Sequence, residues 1–554
     1  MGGNHHHASL SRLCTVRRSA PLPALLTLLL MPLLLLFILF AAVSPVSAAG
    51  GPDEFRLRLV QLVHRHGARS PEVGYFGSGN ESLICVDVPC GLLNEPGKKQ
   101  MFNMGDFLRQ RYNGTLGTPG VVATGFLPSV YNETFVYTRS TDMPRTLQSA
   151  SAVINGLFAG TVPVYPVIHT VPLTEEKLLG PWMLPNVVTA DKLGRAAWVR
   201  ERTAPMVDKI FPTHEDILAV AREVHSEGRC TDYALRVNCA QMLADVAACY
   251  EPNGLLANLP LLSANKKGLS GVSAALTTAS YSYNPADEMQ RQSGSLGQDL
   301  MQAMLKNMND VITEKSTYGI YHYSAHDATI APFAATLGNN DDNATFSPTF
   351  GTTYVVELLD RIVDGKLYVR VIRLRPGLTP ESNYSIASWP LPMRCQNSDG
   401  VVYVVNATDP NENLCPLSDF TRFVDSTKGT SPLGSCYLTE AMKTQMNCSG
   451  SGASSSLCQN YRSACPDYAC EKGTVLDQLS KTCVPVADSS SAAGGSTSPT
   501  NAESRTDLSG GAIAGITIAT FLLGLLIAGL FSFLLYFCVR RVTNNKSNSS
   551  LGQP

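Results

Sequence analysis

Two long apolar stretches near opposite ends of this 554-residue chain constrain its architecture most. The first covers residues 21–43, follows three arginines and precedes the small residues Val46–Ala49. A basic flank, an apolar run and small residues in this order are typical of a secretory signal. We therefore predict a signal peptide over residues 1–48. An uncleaved N-terminal anchor is the alternative, because the apolar run is longer than usual.

The second apolar stretch, residues 511–539, carries no charged side chain. It exceeds the ~20 residues that a helix needs to cross a bilayer. Arg540 and Arg541 follow it at once, and positive residues favour the cytoplasmic side. The sequence thus predicts a single-pass type I membrane protein with a cytoplasmic tail over 540–554. Its outer part would be lumenal or extracellular, in an endosomal-lysosomal, vesicular or surface membrane.

Cysteines and glycosylation sequons support an exported outer part. Of 15 cysteines, Cys14 lies in the signal and Cys538 at the membrane boundary, which leaves an odd number outside. Exported proteins pair most of their cysteines, so we expect disulfides with one cysteine left over, and the pairing stays open. N-glycosylation is predicted at Asn80, Asn113, Asn132, Asn343, Asn383, Asn406 and Asn447.

The charge balance argues against a nucleic-acid partner. Lys and Arg number 43 and Asp and Glu 45, a net charge of −2, whereas nucleic-acid binders usually present a basic face. Hydrophobic residues make up 44 % of the chain and charged residues 16 %, which is not the composition of a disordered protein. We expect a globular domain.

Composition divides the outer part into three regions. Residues 49–390 mix strand and helix patterns and form the expected globular core domain, with a helical cap inserted at about 190–260. Residues 391–485 hold eight cysteines and read as a Cys-rich membrane-proximal module. Residues 486–510 are rich in Ser, Gly and Thr, which is typical of a flexible stalk.

Strand patterns alternate with helix patterns in the first region, which predicts an α/β fold. Helices are expected over Asn94–Tyr112, over Thr213–Gly228, where Thr213 and Asp216 form a capping-box pattern, and over Ser293–Met308. Strands are expected over Phe55–Val63, Phe135–Thr138, Tyr318–Ser324, Thr353–Leu359 and Leu367–Ile372.

The residues that carry chemistry follow predicted strands. The segment RHGARSP, Arg65–Pro71, comes after the first strand and sets His66 between two arginines. Guanidinium groups match phosphate oxygens in a bidentate manner, and neighbouring cations keep an imidazole neutral. A neutral imidazole can attack phosphorus, so we predict that His66 is a nucleophile.

Two further strand ends complete this predicted site. Arg139 follows one strand and His326–Asp327 follows another. Strand ends at one edge of an α/β sheet would bring these side chains around a single anion. Asp327 would then donate a proton to the leaving oxygen. We assign Arg145 to a surface or scaffold ion pair, with a position next to the site as the alternative, and we assign His64 a structural role.

These segments resemble the histidine acid phosphatase family. RHGARSP is similar to its RHGxRxP signature, YTRSTDMPRTLQSA (Tyr137–Ala150) to the block around its third arginine, and YSAHDAT (Tyr323–Thr329) to its His-Asp block. With the signal and the anchor, the chain resembles a type I membrane-bound acid phosphatase. The fold that the resemblance implies is a phosphoglycerate-mutase-like core sheet flanked by helices, with a smaller, mostly helical cap domain.

The resemblance also implies a mechanism without metal or other cofactor. His66 would form a phosphohistidine from a phosphate monoester, and Asp327 would protonate the departing alcohol at acidic pH. The phosphate oxygens would be held by Arg65, Arg69, Arg139 and His326. Related phosphatases are often dimers, so a homodimer is a further expectation.

Other classes of function compete with this interpretation. The fold could serve as a catalytically silent adhesion or receptor ectodomain, or as a phosphomutase-like enzyme. Cys230 and Arg236 have the spacing of a cysteine-phosphatase loop but lack its glycines. His322, His326 and Asp327 could suggest a metal site, yet a strand places residues i and i+4 far apart.

Overall fold

A computed structural model describes the chain between residues 54 and 485. The gaps within this range are 73–80, 114–120, 124, 161–162, 341–342, 406–412, 449–454, 467–469, 471–473, 478 and 480–481. The predicted signal peptide, stalk, membrane span and cytoplasmic tail therefore lie outside the described residues.

The described strands form one large sheet and two small hairpins. In chain order they are β1 (Phe55–Arg65), β2 (Val121–Val122), β3 (Val136–Ser140), β4 (Ile320–Ala325), β5 (Thr353–Arg361), β6 (Leu367–Pro376), β7 (Ile386–Pro390), β8 (Met393–Gln396), β9 (Val402–Val405), β10 (Cys415–Pro416), β11 (Thr474–Leu476) and β12 (Cys483–Pro485).

Helices of very different length connect and cover these strands. They are α1 (Glu81–Ile84), α2 (Glu95–Tyr112), α3 (Pro144–Leu157), α4 (Pro185–Lys192), α5 (Arg195–Ile210), α6 (His214–Glu223), α7 (Arg236–Tyr250), α8 (Pro260–Tyr281), α9 (Glu288–Ser293), α10 (Gln298–Ile312), α11 (Asp327–Thr336), α12 (Asn343–Phe346), α13 (Leu417–Asp425), α14 (Glu440–Gln445) and α15 (Ser456–Ala464).

The large sheet places three strand ends side by side. Its order is β10-β6-β5-β1-β4-β3, with β2 paired to β1 and β7 to β6. Strands β1, β4 and β3 are parallel, and Arg65 at the end of β1 is in register with Ala325 at the end of β4. The segments that leave these strands therefore emerge at one edge of the sheet, as the sequence predicted.

Helices cover both faces of the sheet, which explains why β1 is buried along nearly its whole length. Buried residues of α2 and α3 form one core cluster with Val60 and Leu62 of β1. Met301 and Met304 of α10, with residues of α11, form the cluster on the other face, against Leu59. The expectation of an α/β core sheet flanked by helices is confirmed.

A third cluster belongs to helices α5 to α8, which build the cap. The capping box of Thr213 and Asp216 starts α6 as predicted. The predicted end at Gly228 is wrong, because α6 ends at Glu223. His225 takes a left-handed φ of 56°, which stops the helix before the glycine is reached.

The first part of the Cys-rich region packs against the large sheet and contributes a strand to it. β10 pairs with β6, and Phe420 and Val424 of α13 pack into the core cluster around α10 and α11. The expectation of disulfides is confirmed by six pairs: Cys85–Cys90, Cys230–Cys239, Cys395–Cys415, Cys436–Cys465, Cys448–Cys458 and Cys470–Cys483. Among the described cysteines, Cys249 is the free one, and it is buried.

The membrane and glycan predictions stay predictions. Within the described part of the chain, no helix combines the length and apolarity that a bilayer crossing needs. The sequon residues Asn113, Asn132, Asn383 and Asn447 are exposed, as an attached glycan requires. Asn343 begins α12, and Asn80 and Asn406 lie outside the described residues.

Two buried histidines form a hydrogen-bonded pair in the sheet. The Nε2 atoms of His64 and His322 lie 2.7 Å apart, and both side chains are fully buried. His64 Nδ1 lies 3.0 Å from the Arg65 carbonyl, which can only accept, so this nitrogen carries the hydrogen. His322 must then donate to His64 through Nε2. Each ring is therefore neutral and fixed in one tautomer.

We expect this pair to make stability depend on pH. Burial lowers the pKa of His64 to about 4 and that of His322 well below its usual value, although the Arg65 carbonyl acts in the opposite sense on His64. The unfolded chain takes up these protons near pH 6.5, so the free energy of unfolding should fall as the pH drops from about 6.5 towards 4. The slope should reach ~1.4 kcal/mol per pH unit for each histidine.

Urea unfolding of the full chain in detergent micelles at several pH values measures this slope. The variants His64→Gln and His322→Gln should each reduce this slope by the contribution of one histidine, because each variant takes up about one proton fewer on unfolding. If both variants keep the wild-type slope between pH 6.5 and 4.5, the pair is not its origin.

Candidate active site

The loop after β1 is held against the start of α2 by a close backbone approach. A Cβ atom on Gly67 would lie 2.4 Å from the Gly97 carbonyl oxygen, and one on Gly97 would lie 2.0 Å from that of Ala68. Only glycine fits at either position. Ser149 accepts the Gly67 N–H, and Gln100 accepts that of Ala68. The loop that carries His66 is therefore rigidly placed.

His66 is buried, with 2 % of its surface exposed, and its ring orientation is fixed. Its Nδ1 lies 2.9 Å from the Gly67 carbonyl, so Nδ1 carries the hydrogen in the neutral ring. The lone pair is then on Nε2. This is the tautomer that a nucleophilic imidazole needs.

Burial and positive charge keep His66 neutral. Burial, followed by the guanidinium groups of Arg145, Arg65 and Arg69, holds the pKa of His66 well below its usual value. His326 acts in the same direction. The ring can therefore stay unprotonated, and so nucleophilic, in acidic solution.

Arg65 connects the loop after β1 with the start of α11. Its guanidinium forms an ion pair with Asp327 at 2.9 Å and donates to the Pro348 carbonyl at 2.8 Å. It also lies over the Phe350 ring, 4.3 Å from the centroid. The buried Nε atoms of Arg65 and Arg69 have no hydrogen-bond partner among the described residues.

Arg69 is anchored from the cap. Asp245 of α7 accepts two hydrogen bonds from its guanidinium, at 2.9 and 3.1 Å, and Cys249 Sγ lies 3.4 Å from Nη1. Asp245 also accepts the backbone N–H of Glu72 at 2.9 Å. The cap thus sets the position of one binding arginine.

His326 and Asp327 stand where α11 begins. Helix N-termini favour negative charge. The Thr141 hydroxyl lies 2.8 Å from His326 Nε2, and the His326 ring centroid lies 5.6 Å from that of His66 and 5.3 Å from that of Trp182. His66, His326 and Asp327 therefore face one small volume, as the sequence predicted.

The charge of Asp327 depends on its neighbours. Its side chain is 44 % exposed. Burial raises the pKa of Asp327, but Arg65, followed by His326, the Ala328 N–H and Arg69, outweighs this and holds the pKa below its usual value. Any bound anion that draws Arg65 away would let this pKa rise.

The structure does not bring Arg139 into this group. Arg139 lies within β3, where side chains alternate between the two faces of the sheet. It points away from Thr138 and Ser140 and forms an ion pair with the buried Glu176 at 2.9 Å. Arg139 is not among the largest causes of the pKa shifts of His66, His326 or Asp327.

Arg145 takes the place that the sequence prediction gave to Arg139. It lies in the first turn of α3, directly after Pro144, and is the first charge after burial in lowering the pKa of both His66 and His326. The pattern that could have identified it is Pro144 at the helix start, which places the next residue at an N-terminal, anion-favouring end.

Other residues of the site carry no sequence signal. Asp245 and Cys249 come from the cap, and Phe350 and Trp182 from loops. Each is far along the chain from the side chain that it contacts. Nothing in the local sequence around them indicates that contact.

Two competing interpretations lose their support. Cys230 forms a disulfide with Cys239, so it is not the thiol of a cysteine-phosphatase loop. His322 is bonded to His64 inside the sheet, whereas His326 lies beyond the strand end beside Thr141. Within the described residues, no three His, Cys, Asp or Glu side chains are placed to hold a metal ion.

Comparison with solved structures gives distant neighbours. A phytase from Citrobacter braakii covers 69 % of this chain and 100 % of its own, with a TM-score of 0.47 and 17 % identity. A Hafnia alvei phytase, solved with myo-inositol hexakis sulphate, covers 70 % of this chain and 100 % of its own, with a TM-score of 0.45 and 18 % identity.

Curated relatives are named acid phosphatases. The mouse (Mus musculus) testicular acid phosphatase is 29 % identical over 336 residues, which are 56 % of this chain and 69 % of that protein. The human (Homo sapiens) testicular acid phosphatase is 38 % identical over 157 residues, but this match spans only 33 % of it and 27 % of this chain. The human lysophosphatidic acid phosphatase type 6 is 25 % identical over 57 % of this chain and 77 % of its own length.

A family model covers most of the large sheet and most of the helices around it. The model of the histidine phosphatase superfamily (branch 2) matches residues 56–203 and 238–373, about half of the chain. The matched residues include His66, Arg145 and Asp327. The predicted resemblance is confirmed: the chain belongs to branch 2 of the histidine phosphatase superfamily.

Proposed function

We propose that this phosphatase is a membrane-anchored acid phosphatase that hydrolyses phosphate monoesters through a phosphohistidine on His66. The observation that carries the proposal is the state of that ring. Its Nδ1 is held by the Gly67 carbonyl, and burial with three surrounding arginines keeps it neutral. Few other side-chain nucleophiles remain unprotonated in acid.

The first step is an in-line displacement at phosphorus. His66 Nε2 forms the P–N bond while the P–O bond to the alcohol breaks. Arg65, Arg69 and Arg145, with His326, hold the phosphate oxygens and stabilise the charge of the transition state. Water then attacks the phosphohistidine and releases inorganic phosphate and neutral His66.

Arg65 couples substrate binding to the proton on Asp327. In the described structure Arg65 pairs with Asp327. When a phosphate takes over this guanidinium, Asp327 gains a negative neighbour and its pKa rises. A monoester that enters as its monoanion, the main form below its second pKa of ~6, brings the proton that Asp327 then donates to the leaving oxygen. Activity should therefore be highest in acid.

The site of action follows from regions outside the described residues. The predicted signal peptide and span place the catalytic domain in a lumenal or extracellular space, anchored as a type I protein. The six disulfides and the exposed sequon residues support this location. We also propose a homodimer, which is what the sequence resemblance implies.

Substitution of Asp327 by Asn tests the assignment of the acid. The amide cannot transfer a proton, so kcat/KM for an alkyl ester such as glycerol 2-phosphate should fall ~10²–10⁴-fold. The fall in kcat/KM for p-nitrophenyl phosphate should be far smaller, because its leaving group departs as a stabilised anion. Steady-state phosphate release by the full chain in detergent, from pH 4 to 8, measures both.

The comparison of the two esters contains its own control. Loss of phosphate binding or of folding would reduce both substrates equally, and an equal loss would contradict the assignment of Asp327. A wild-type kcat/KM that is highest above pH 7 would contradict the mechanism as a whole.

A further inference from the structure

Glu72 stands beside the binding arginines but has no part in the chemistry described above. It follows the RHGARSP segment directly, and 25 % of its side chain is exposed. Its carboxylate lies 3.5 Å from Arg69 Nη2 and 3.2 Å from Arg145 Nη2. One carboxylate therefore faces two guanidinium groups that would bind a phosphate.

These contacts differ from those of Asp245. Asp245 accepts two hydrogen bonds from Arg69, at 2.9 and 3.1 Å, which is the bidentate geometry of a permanent anchor. The Glu72 distances are longer than those of good charge-assisted hydrogen bonds, which are about 2.7–2.9 Å. Asp245 thus fixes Arg69, and Glu72 is a looser counter-ion that an incoming anion can displace.

Geometry limits how far a bound anion can be from Glu72. A phosphate oxygen bonded to Arg69 Nη2 or Arg145 Nη2 would lie at most about 6 Å from the Glu72 carboxylate unless that side chain moves. Like charges at this range repel each other appreciably near a protein surface. A bound anion must therefore either displace the Glu72 side chain or be repelled by it. The resulting loss of binding free energy rises with the charge of the anion.

We propose that Glu72 is a specificity-determining residue that disfavours substrates carrying more than one phosphate group. The proposal rests on the phosphatase function of the same site. With Glu72 in place, the arginine cluster is partly neutralised before substrate arrives. Its residual attraction suits a single phosphate group on an otherwise uncharged or cationic molecule.

A matched pair of substrates tests this selectivity. Fructose 6-phosphate and fructose 1,6-bisphosphate share one sugar and differ by one phosphate group. For Glu72→Gln we expect the ratio of kcat/KM, bisphosphate over monophosphate, to rise about tenfold, which corresponds to ~1.4 kcal/mol. The rise should shrink at high salt, because screening weakens exposed charges. Phosphate release by the full chain in detergent micelles, at pH 5 and two ionic strengths, gives these ratios.

Binding of inorganic phosphate gives a readout that needs no turnover. Calorimetry should show tighter binding to the Glu72→Gln chain than to wild type, because no carboxylate competes for the arginines. Glu72→Asp keeps the charge and should stay near the wild-type ratio. Glu215→Gln changes the net charge equally on the cap helix α6, where Glu215 pairs with Arg222, and should leave the ratio unchanged.

The outcomes separate this proposal from the function on which it rests. An unchanged ratio in Glu72→Gln, or an equal loss on both sugars, would overturn the role of Glu72 while wild-type turnover stands. Wild type without turnover would remove the phosphatase function, and the calorimetric comparison would still decide whether Glu72 competes with phosphate.

Discussion

Replacing His66 with Ala should reduce phosphatase activity by about 10⁴-fold or more, because loss of a catalytic nucleophile removes the covalent route entirely. The buried ring is fixed by the Gly67 carbonyl with Nε2 available, and no second described imidazole has this combination next to the arginines. His326 is held through its own Nε2 by Thr141. Turnover of p-nitrophenyl phosphate at pH 5 measures the loss.

Trapping of the intermediate makes this result specific. A rapid quench that avoids acid, with radiolabelled substrate, should leave label on a histidine of the wild-type chain and none on the His66→Ala chain. Calorimetry should show that the variant still binds inorganic phosphate, since the arginines remain. His225→Asn is the matched control, because it removes another histidine from an exposed position with a left-handed backbone that asparagine accepts. Substantial turnover or labelling in His66→Ala would disprove the assignment.

Arg145 and Arg139 should respond very differently to replacement by Ala. Arg145→Ala should lower kcat/KM by ~10²–10³-fold, as loss of one donor to a developing anion does elsewhere. Arg139→Ala should change kcat/KM by no more than a few-fold, because its guanidinium binds Glu176 instead of facing His66. The same Arg139→Ala variant should have a lower free energy of unfolding, because the fully buried Glu176 would lose its positively charged partner.

A paired variant keeps this comparison decisive if Arg139→Ala does not fold. Replacing Arg139 and Glu176 together by Leu removes the ion pair without leaving a buried charge, which is often neutral for stability. Such a chain should retain activity. If it folds and loses as much kcat/KM as Arg145→Ala, then Arg139 belongs to the binding site after all.

The order of the strands and helices and the identity of most reacting groups can be predicted from the sequence. Strand-then-loop patterns place His66 and His326–Asp327 at neighbouring strand ends, because parallel strands must end at one edge. A shift of one residue along β3 decides which face of the sheet the Arg139 side chain takes, whereas Arg145 comes from the first turn of α3. An uncertain strand end is therefore enough to select the wrong arginine.

Contacts between distant segments stay hidden for another reason. Asp245 binds Arg69 across 176 positions, and nothing in the helical pattern around Asp245 distinguishes it from an acidic residue of any other helix. The end of α6 at Glu223 instead of Gly228 shows the same limit, since His225 takes a left-handed backbone conformation that its residue type does not usually adopt. The selectivity proposed for Glu72 likewise depends on its contact with Arg145, which forms only in the folded chain.

The short spacing of the disulfides bears on how this chain is made. Each described pair joins cysteines 29 positions apart or fewer. Oxidation can therefore proceed segment by segment, without a search between distant parts of an unfolded chain. Thiol exchange needs a thiolate, and burial holds the pKa of Cys249 well above its usual value, so the odd cysteine is a poor competitor for these partners once the cap has closed over it.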